Sequence, residues 1–214
     1  MKVKKLYSTK TGRYYIGDSR LITNRQLPGG VDLILTSPPY PLSSEKEYGN
    51  FKEEKYIEWL TAVFSSLSNK LNDSGSVVIE IGNAWMKGRP VQSLAHIKTL
   101  LAIAESKEND LRLIQEFVCH NPARLPSPAK WVTNERIRVT DSYTHVWWFA
   151  KSDYPKADNR KVLRPYSDSM RSLLKRKCYN AGKRPSAHIV GQKTFLKDNG
   201  GSIAHNVIDL YADE

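Results

Sequence analysis

The sequence predicts an α/β fold built on a mostly parallel sheet with helices on its faces. Two observations point there. Short apolar runs alternate along the chain with longer stretches whose apolar residues recur at helical spacing. The run from Val31 to Thr36 is also nearly continuous in apolar character, as in a strand covered on both faces.

The elements follow in order. Arg13 to Gly17 reads as a short strand, stopped at Gly17-Asp18-Ser19, and a short amphipathic helix follows to about Leu27. Pro28-Gly29-Gly30 is a turn into the strand at Val31 to Thr36. From Glu53 to Leu71, apolar residues at Tyr56, Ile57, Leu60, Val63, Phe64, Leu67 and Leu71 mark a helix, and Asn72-Asp73-Ser74-Gly75 ends it. Ser76 to Ile81 is a strand. Val91 to about Ala104 is a second helix, with Leu94, Ile97, Leu101 and Ala104 on one side. Leu111 to Val118 and Tyr143 to Ala150 read as strands around a proline-rich loop. No helical pattern separates those two, so they are expected as an antiparallel pair at one edge of the sheet. No internal repeat is visible.

At 214 residues the chain suits one domain with an appendage, and its 40% hydrophobic content is that of a globular protein. No apolar run approaches the roughly 18 residues of a membrane span. The basic N-terminus has no apolar stretch like that of a signal peptide, so a cytoplasmic location is the default expectation. Cys119 and Cys178 stand far apart and fit neither a disulfide framework nor a zinc site, so no metal is expected. The net charge of +11 is concentrated. Lys151 to Lys197 holds thirteen Lys/Arg against three Asp, while the rest of the chain is close to neutral. A neutral body with one strongly basic segment suits a polyanion such as nucleic acid, and it also fits a solvated surface segment. Arg171, Lys175, Arg176 and Lys177 form its densest cluster, with Lys183 and Arg184 nearby. Residues 171 and 175 are one helical step apart.

In sheets of this type, ligands bind beyond the C-terminal ends of the strands. Two stretches lie at such ends: Gly17-Asp18-Ser19 and Ser37-Pro38-Pro39-Tyr40. Backbone donors are dispensable once the ladder has finished, and two prolines stiffen the strand exit. The carbonyls of Ser37 and Pro38, the Ser37 hydroxyl and the flat ring of Tyr40 together suit an amino group on a planar ring. The same residues also fit an ordinary Pro-Pro turn. Asp18 offers a carboxylate at a strand end, and Asp there often merely caps the next helix.

Thr36-Ser37-Pro38-Pro39-Tyr40 after an apolar strand resembles the catalytic motif of the DNA amino-methyltransferases. Its Ser-Pro-Pro-aromatic form is most similar to the cytosine-N4 branch, and the adenine-N6 branch is the alternative. Glu47-Tyr48-Gly49-Asn50, Tyr15 to Ser19, Ser142 to Ser152 and Gly200-Gly201-Ser202-Ile203 extend the resemblance over nearly the whole chain, in the β arrangement of motifs. The resemblance implies a Rossmann-like methyltransferase sheet. It implies S-adenosylmethionine as cofactor, with Asp18 and Ser19 at its adenine end. Double-stranded DNA is the implied partner, within a restriction–modification system. Residues 1–150 would form the catalytic part, 151–200 the target-recognition part, and 201–214 the return to the catalytic domain.

The chemistry implied for Ser37, Pro38, Pro39 and Tyr40 is activation of the exocyclic nitrogen. Acceptors taking both of its hydrogens localise the lone pair and stabilise the developing positive charge. Neither cysteine lies in the Pro-Cys context of cytosine-C5 enzymes. The target base must be flipped out of the duplex. Tyr40 is expected to stack on it through its ring face, with the hydroxyl idle. The loop Cys119 to Asn134, with Pro122, Pro126, Pro128 and Trp131, is a second expected wall, and residues 41–52 a lid. The family's Phe/Pro-x-Gly-x-Gly cofactor loop is absent, since none of the twelve glycines forms Gly-x-Gly. A second polypeptide supplying that half is therefore one expectation. An inactive or split chain acting as a DNA-binding subunit is the other.

Overall fold

The computed structural model describes residues 3–22, 26–40, 53–179, 182–183, 185–191 and 195–210. The chain divides into two units, one of residues 1–156 with 206–214 and the other of residues 157–205.

The first unit opens with β1 (Lys4–Ser8) and β2 (Arg13–Ile16), which pair with each other as an antiparallel hairpin. β2 was expected in the main sheet and is instead part of this separate two-stranded one. Of the predicted helix after it, the described residues form a 3-10 turn at Ser19–Leu21. β3 (Val31–Thr36), α1 (Glu53–Ser68), β4 (Leu71–Ile81), α2 (Ala95–Ala104), β5 (Arg112–His120) and β6 (Tyr143–Ala150) follow. α2 starts four residues later than its apolar pattern because Ser93 Oγ accepts the Ala95 N–H at 3.1 Å and fixes a turn there.

The predicted turn at residues 72–75 survives as a bulge within β4. Val31 pairs with Leu71 and Leu33 with Ser76, which leaves extra residues on β4 between the two pairs. Gly75 sits there because an added Cβ would meet the Val31 carbonyl oxygen at 2.8 Å.

The main sheet has five strands in the order β3-β4-β6-β5, followed by β9 (Val207–Asp209). β3 is parallel to β4 and β9 to β5, while β6 is antiparallel to both of its neighbours. Four strands therefore share one direction and β6 alone is reversed. The antiparallel pair was expected at an edge, yet β6 lies between β4 and β5. Its Trp147 and Phe149, deep among Val77, Ile79, Tyr56, Leu60 and Phe64, explain that placement. α1 and α2 cover this face of the sheet.

The other face contradicts the reading of β3 as covered on both sides. Leu33 and Leu35 remain 54% and 70% exposed. An apolar run makes β3 a strand, but no described residue covers those two side chains enough to bury them. Among the described residues no helix is long and apolar enough to cross a membrane.

The second unit contains a 3-10 turn at Asn159–Val162, α3 (Asp168–Arg176), and a small hairpin of β7 (Gly182–Lys183) and β8 (Ile189–Val190). Ser167 caps α3 by accepting the Met170 N–H, and Lys177 ends it in the left-handed region. Arg164 pairs with Ser202 across a bridge, where Gly201 packs on the Arg164 carbonyl.

Candidate functional site

The strand directions bring the C-terminal ends of β3, β4 and β5 and the start of β6 to one end of the sheet. Ser37 to Tyr40 leave β3 there. A residue before proline is held extended, so Ser37 and Pro38 are both restricted and the exit is stiff. Pro38 is buried, Ser37 and Pro39 are exposed, and Tyr40 is half-buried against the core.

The Tyr40 ring packs against Gly82, just past the end of β4. A Cβ on Gly82 would come within 2.5 Å of Tyr40 Cε2 and 2.8 Å of Cδ2, so only glycine admits the ring at this separation. The Tyr40 hydroxyl, expected to be idle, is close enough to Ser37 and Glu80 for both to act on its ionisation, Ser37 favouring the ionised form and Glu80 opposing it. Thr144 on β6 donates to the same carboxylate at 3.0 Å. Burial pushes the Tyr40 hydroxyl above its ordinary pKa, which keeps it protonated. Arg124 acts in the opposite direction through its positive field, and its guanidinium donates to the Tyr143 carbonyl at 3.3 Å.

The turn carrying Gly82 is pinned from several directions. His145 on β6 contacts Glu116 Oε1 through Nδ1 at 2.6 Å and Asn83 Oδ1 through Nε2 at 3.1 Å. His96, buried at the start of α2, stacks on His145 with ring centroids 4.9 Å apart. Trp85 donates to Asp141 at 2.6 Å. Four residues of this site were missed by sequence reasoning: Glu80, Gly82, Arg124 and Thr144. Glu80 carried a signal, since it is the one charge within the apolar stretch Val77 to Ile81.

Asp18 and Ser19 follow β2, a strand of the separate hairpin rather than of the main sheet. Their carbonyls accept the N–H groups of Leu21 and Ile22 in the 3-10 turn. Ser19 lines a cavity of about 240 Å³ with Ile22, Leu27, Trp59, Val63 and Leu67, on the outer side of α1. Trp131, an expected wall for the base, is 8% exposed, with the Lys130 ammonium over its ring at 4.3 Å. The expected lid at residues 41–52 lies outside the described residues, as does Arg184.

In the second unit, Arg171, Lys175, Arg176, Lys177 and Lys183 are all exposed. Arg171 is paired with Asp168 at 2.6 Å, and Leu173 is buried on the opposite side of α3.

Comparison with known proteins adds the following. Residues 31–199 match the family described as DNA methylase, the N6/N4 methyltransferases. Over 213 residues the chain is 40% identical to the type II methyltransferase M.PvuII of Proteus hauseri, a match covering 99% of this chain and 62% of that protein. The type II methyltransferase M.MwoI of Methanothermobacter wolfeii is 30% identical over 131 residues, 58% of this chain and 18% of that one. The solved structure of the PvuII DNA methyltransferase (cytosine-N4-specific) aligns with a TM-score of 0.70 at 31% identity, covering 97% of this chain and 60% of the other. The chain thus spans less than two thirds of the length of these relatives. With the family match extending over most of its residues, this chain belongs to the DNA methylase family of N6/N4 methyltransferases.

Proposed function

We propose that the chain provides the base-binding and proton-handling half of a DNA methyltransferase. Its reaction is transfer of a methyl group from S-adenosylmethionine to the exocyclic N4 of cytosine in duplex DNA, as the modification part of a restriction–modification system. The observation that carries this is the convergence of Ser37, Tyr40, Gly82 and Glu80 at the exit of β3, with the Tyr40 ring packed on Gly82 and Ser37 and Glu80 acting on its hydroxyl.

The cofactor fits this chain only in part. Asp18 provides an acceptor suited to an adenine amino group, but the sequence has no glycine-rich loop for the methionine end. A second polypeptide or segment carrying that loop completes the site. S-adenosylmethionine supplies an electrophilic methyl on a sulfonium. The residues of this chain do the rest. Ser37 Oγ and the carbonyls of Ser37 and Pro38 accept the N–H groups of the base, which localises the nitrogen lone pair and stabilises the charge that develops there. With the methyl transferred, its C–S bond broken and S-adenosylhomocysteine leaving as the neutral thioether, the nitrogen would give a proton to Ser37 Oγ. Ser37 passes its own proton to Tyr40, and Tyr40 passes its proton to Glu80, which ends as a neutral carboxylic acid. Thr144 holds that carboxylate in place. The exposed cations of the second unit, Arg171, Lys175, Arg176, Lys177 and Lys183, bind the DNA phosphates together with Arg184.

Single-turnover methyl transfer tests this, with the chain mixed with the part of the Proteus hauseri relative that lies outside the match. Glu80→Gln keeps the shape but cannot take the proton. The rate is expected to fall by about 10²–10⁴, as for loss of a general base. An unchanged rate would remove Glu80 from the mechanism.

A further inference from the structure

The loop between β5 and β6, residues 121–142, exposes three large apolar side chains, Leu125 at 82%, Val139 at 85% and Ile137 at 48%. A single exposed leucine on a surface is ordinary. Three further features set this one apart.

The loop is rigid. Trp131 is buried within it, and the N–H groups of Ile137 and Arg138 both donate to the Trp131 carbonyl. Arg138 donates twice to the Pro90 carbonyl, at 3.1 and 2.9 Å. Asp141 is tied to Trp85, and Asn121 to Ser142 across the base of the loop. The loop is also cationic. Arg124, Lys130, Arg136 and Arg138 outnumber Glu135 and Asp141, and Asp141 is already engaged by Trp85. Finally, it stands at the catalytic end. Arg124 acts on Tyr40 electrostatically, and the next residue, Leu125, points its apolar side chain into solvent.

We propose that this loop is a wedge for duplex DNA, with Leu125 entering the base stack to fill the gap left by the nucleotide that turns out toward Ser37 and Tyr40. The proposal rests on the DNA-methyltransferase function above. Apolar side chains inserted between base steps are a general means of holding a distorted duplex. Flipping a base opens such a gap, and each flip must offset the stacking it breaks. The cations of the loop meet the flanking phosphates, and its rigidity means that no ordering is needed on binding. Leu125 is a positioning residue in this scheme, since it touches the DNA and not the reacting atoms.

The test uses two fluorescently labelled duplexes of the same sequence, one intact and one with a single cytosine replaced by an abasic sugar. The abasic duplex presents the gap already open. The wild-type chain is expected to bind it about tenfold more tightly, as burying a leucine side chain implies. Leu125→Ala should erase that preference while leaving affinity for the intact duplex within about twofold, and Leu125→Met should restore it. Val139→Ala is the comparison, expected to keep the preference. No preference in the wild type, or a preference untouched by Leu125→Ala, overturns the wedge. So does loss of the preference in Val139→Ala alone. A change of self-association in Leu125→Ala with unchanged DNA binding would assign the side chain to a second copy of this chain, and also overturns it. Methyl transfer measured in parallel separates the two claims. Transfer without the preference sinks only the wedge, and the preference without transfer sinks only the enzyme.

Discussion

Gly82→Ala places a methyl group 2.5 Å from Tyr40 Cε2 and 2.8 Å from Cδ2. Carbon atoms rest about 3.5–4.0 Å apart, so the ring must retreat by about 1 Å or the turn must yield. Overpacking of this kind costs about 1–3 kcal/mol. The backbone at Gly82 lies outside the left-handed region, so alanine fits it without strain. In the absence of the clash, the same substitution should stabilise by about 0.4–1 kcal/mol, because it restricts the unfolded chain. The sign of the effect therefore depends on Tyr40. In the wild-type background, Gly82→Ala should destabilise by about 1–2 kcal/mol once the two effects are combined. In the Tyr40→Ala background it should be neutral or stabilising. Urea unfolding followed by tryptophan fluorescence reads this directly, since all five tryptophans lie in the first unit. A destabilisation equal in both backgrounds would show that the ring is not what demands glycine. The packing proposed to fix the catalytic tyrosine would then be wrong.

Other perturbations separate the parts of the site. Ser37→Ala should lower single-turnover methylation by about 10²–10³ with little change in DNA affinity, as for loss of one transition-state hydrogen bond. Tyr40→Phe keeps the ring on Gly82 but cuts the link from Ser37 to Glu80, so turnover should fall about tenfold or more while stability stays within about 1 kcal/mol; full activity in this variant would restore the view that only the ring face matters. Replacing Arg171, Lys175, Arg176 and Lys177 with Gln should make the dependence of log affinity on log salt shallower by about 0.9 for each phosphate no longer neutralised, without altering sequence preference; an unaltered slope would remove the cluster from the interface. Burial, with the neighbouring His145 adding to it, holds His96 below its ordinary value of 6.5. The unfolded chain then takes up the proton first, so stability should decline as pH falls through about 6.5 toward the folded value. His96→Gln should flatten that part of the decline, and an identical decline would contradict it.

The sheet was largely legible because its strands bury one face. Val77, Ile79, Trp147 and Phe149 are written in the apolar pattern, and α1 and α2 follow from helical spacing. The position of β6 was not legible, because apolar periodicity states which residues are buried and not which strand lies beside which. β1 escaped notice since Lys4–Ser8 is exposed along its length and carries no alternation to read. At the site, the chemistry of Ser37-Pro38-Pro39-Tyr40 also fitted an ordinary Pro-Pro turn, and the resemblance to the amino-methyltransferase motif is what singled it out. Its partners were not legible. Glu80, Gly82 and Thr144 come from two other strands and the turn after one of them, and only the fold brings them to Tyr40. The neighbours of the Tyr40 hydroxyl were hidden for the same reason, because Glu80 lies far along the sequence on another strand.

The nucleoside product tests the central claim most directly. Duplex DNA is incubated with the chain, the complementary part of the Proteus hauseri relative and isotopically labelled S-adenosylmethionine, then digested and resolved by mass spectrometry. The expected product is N4-methyldeoxycytidine, formed by the wild-type chain and formed about 10²–10³ more slowly with Ser37→Ala. Label on adenine N6 or cytosine C5, or product formed at an unchanged rate by Ser37→Ala, would contradict the assignment of this site.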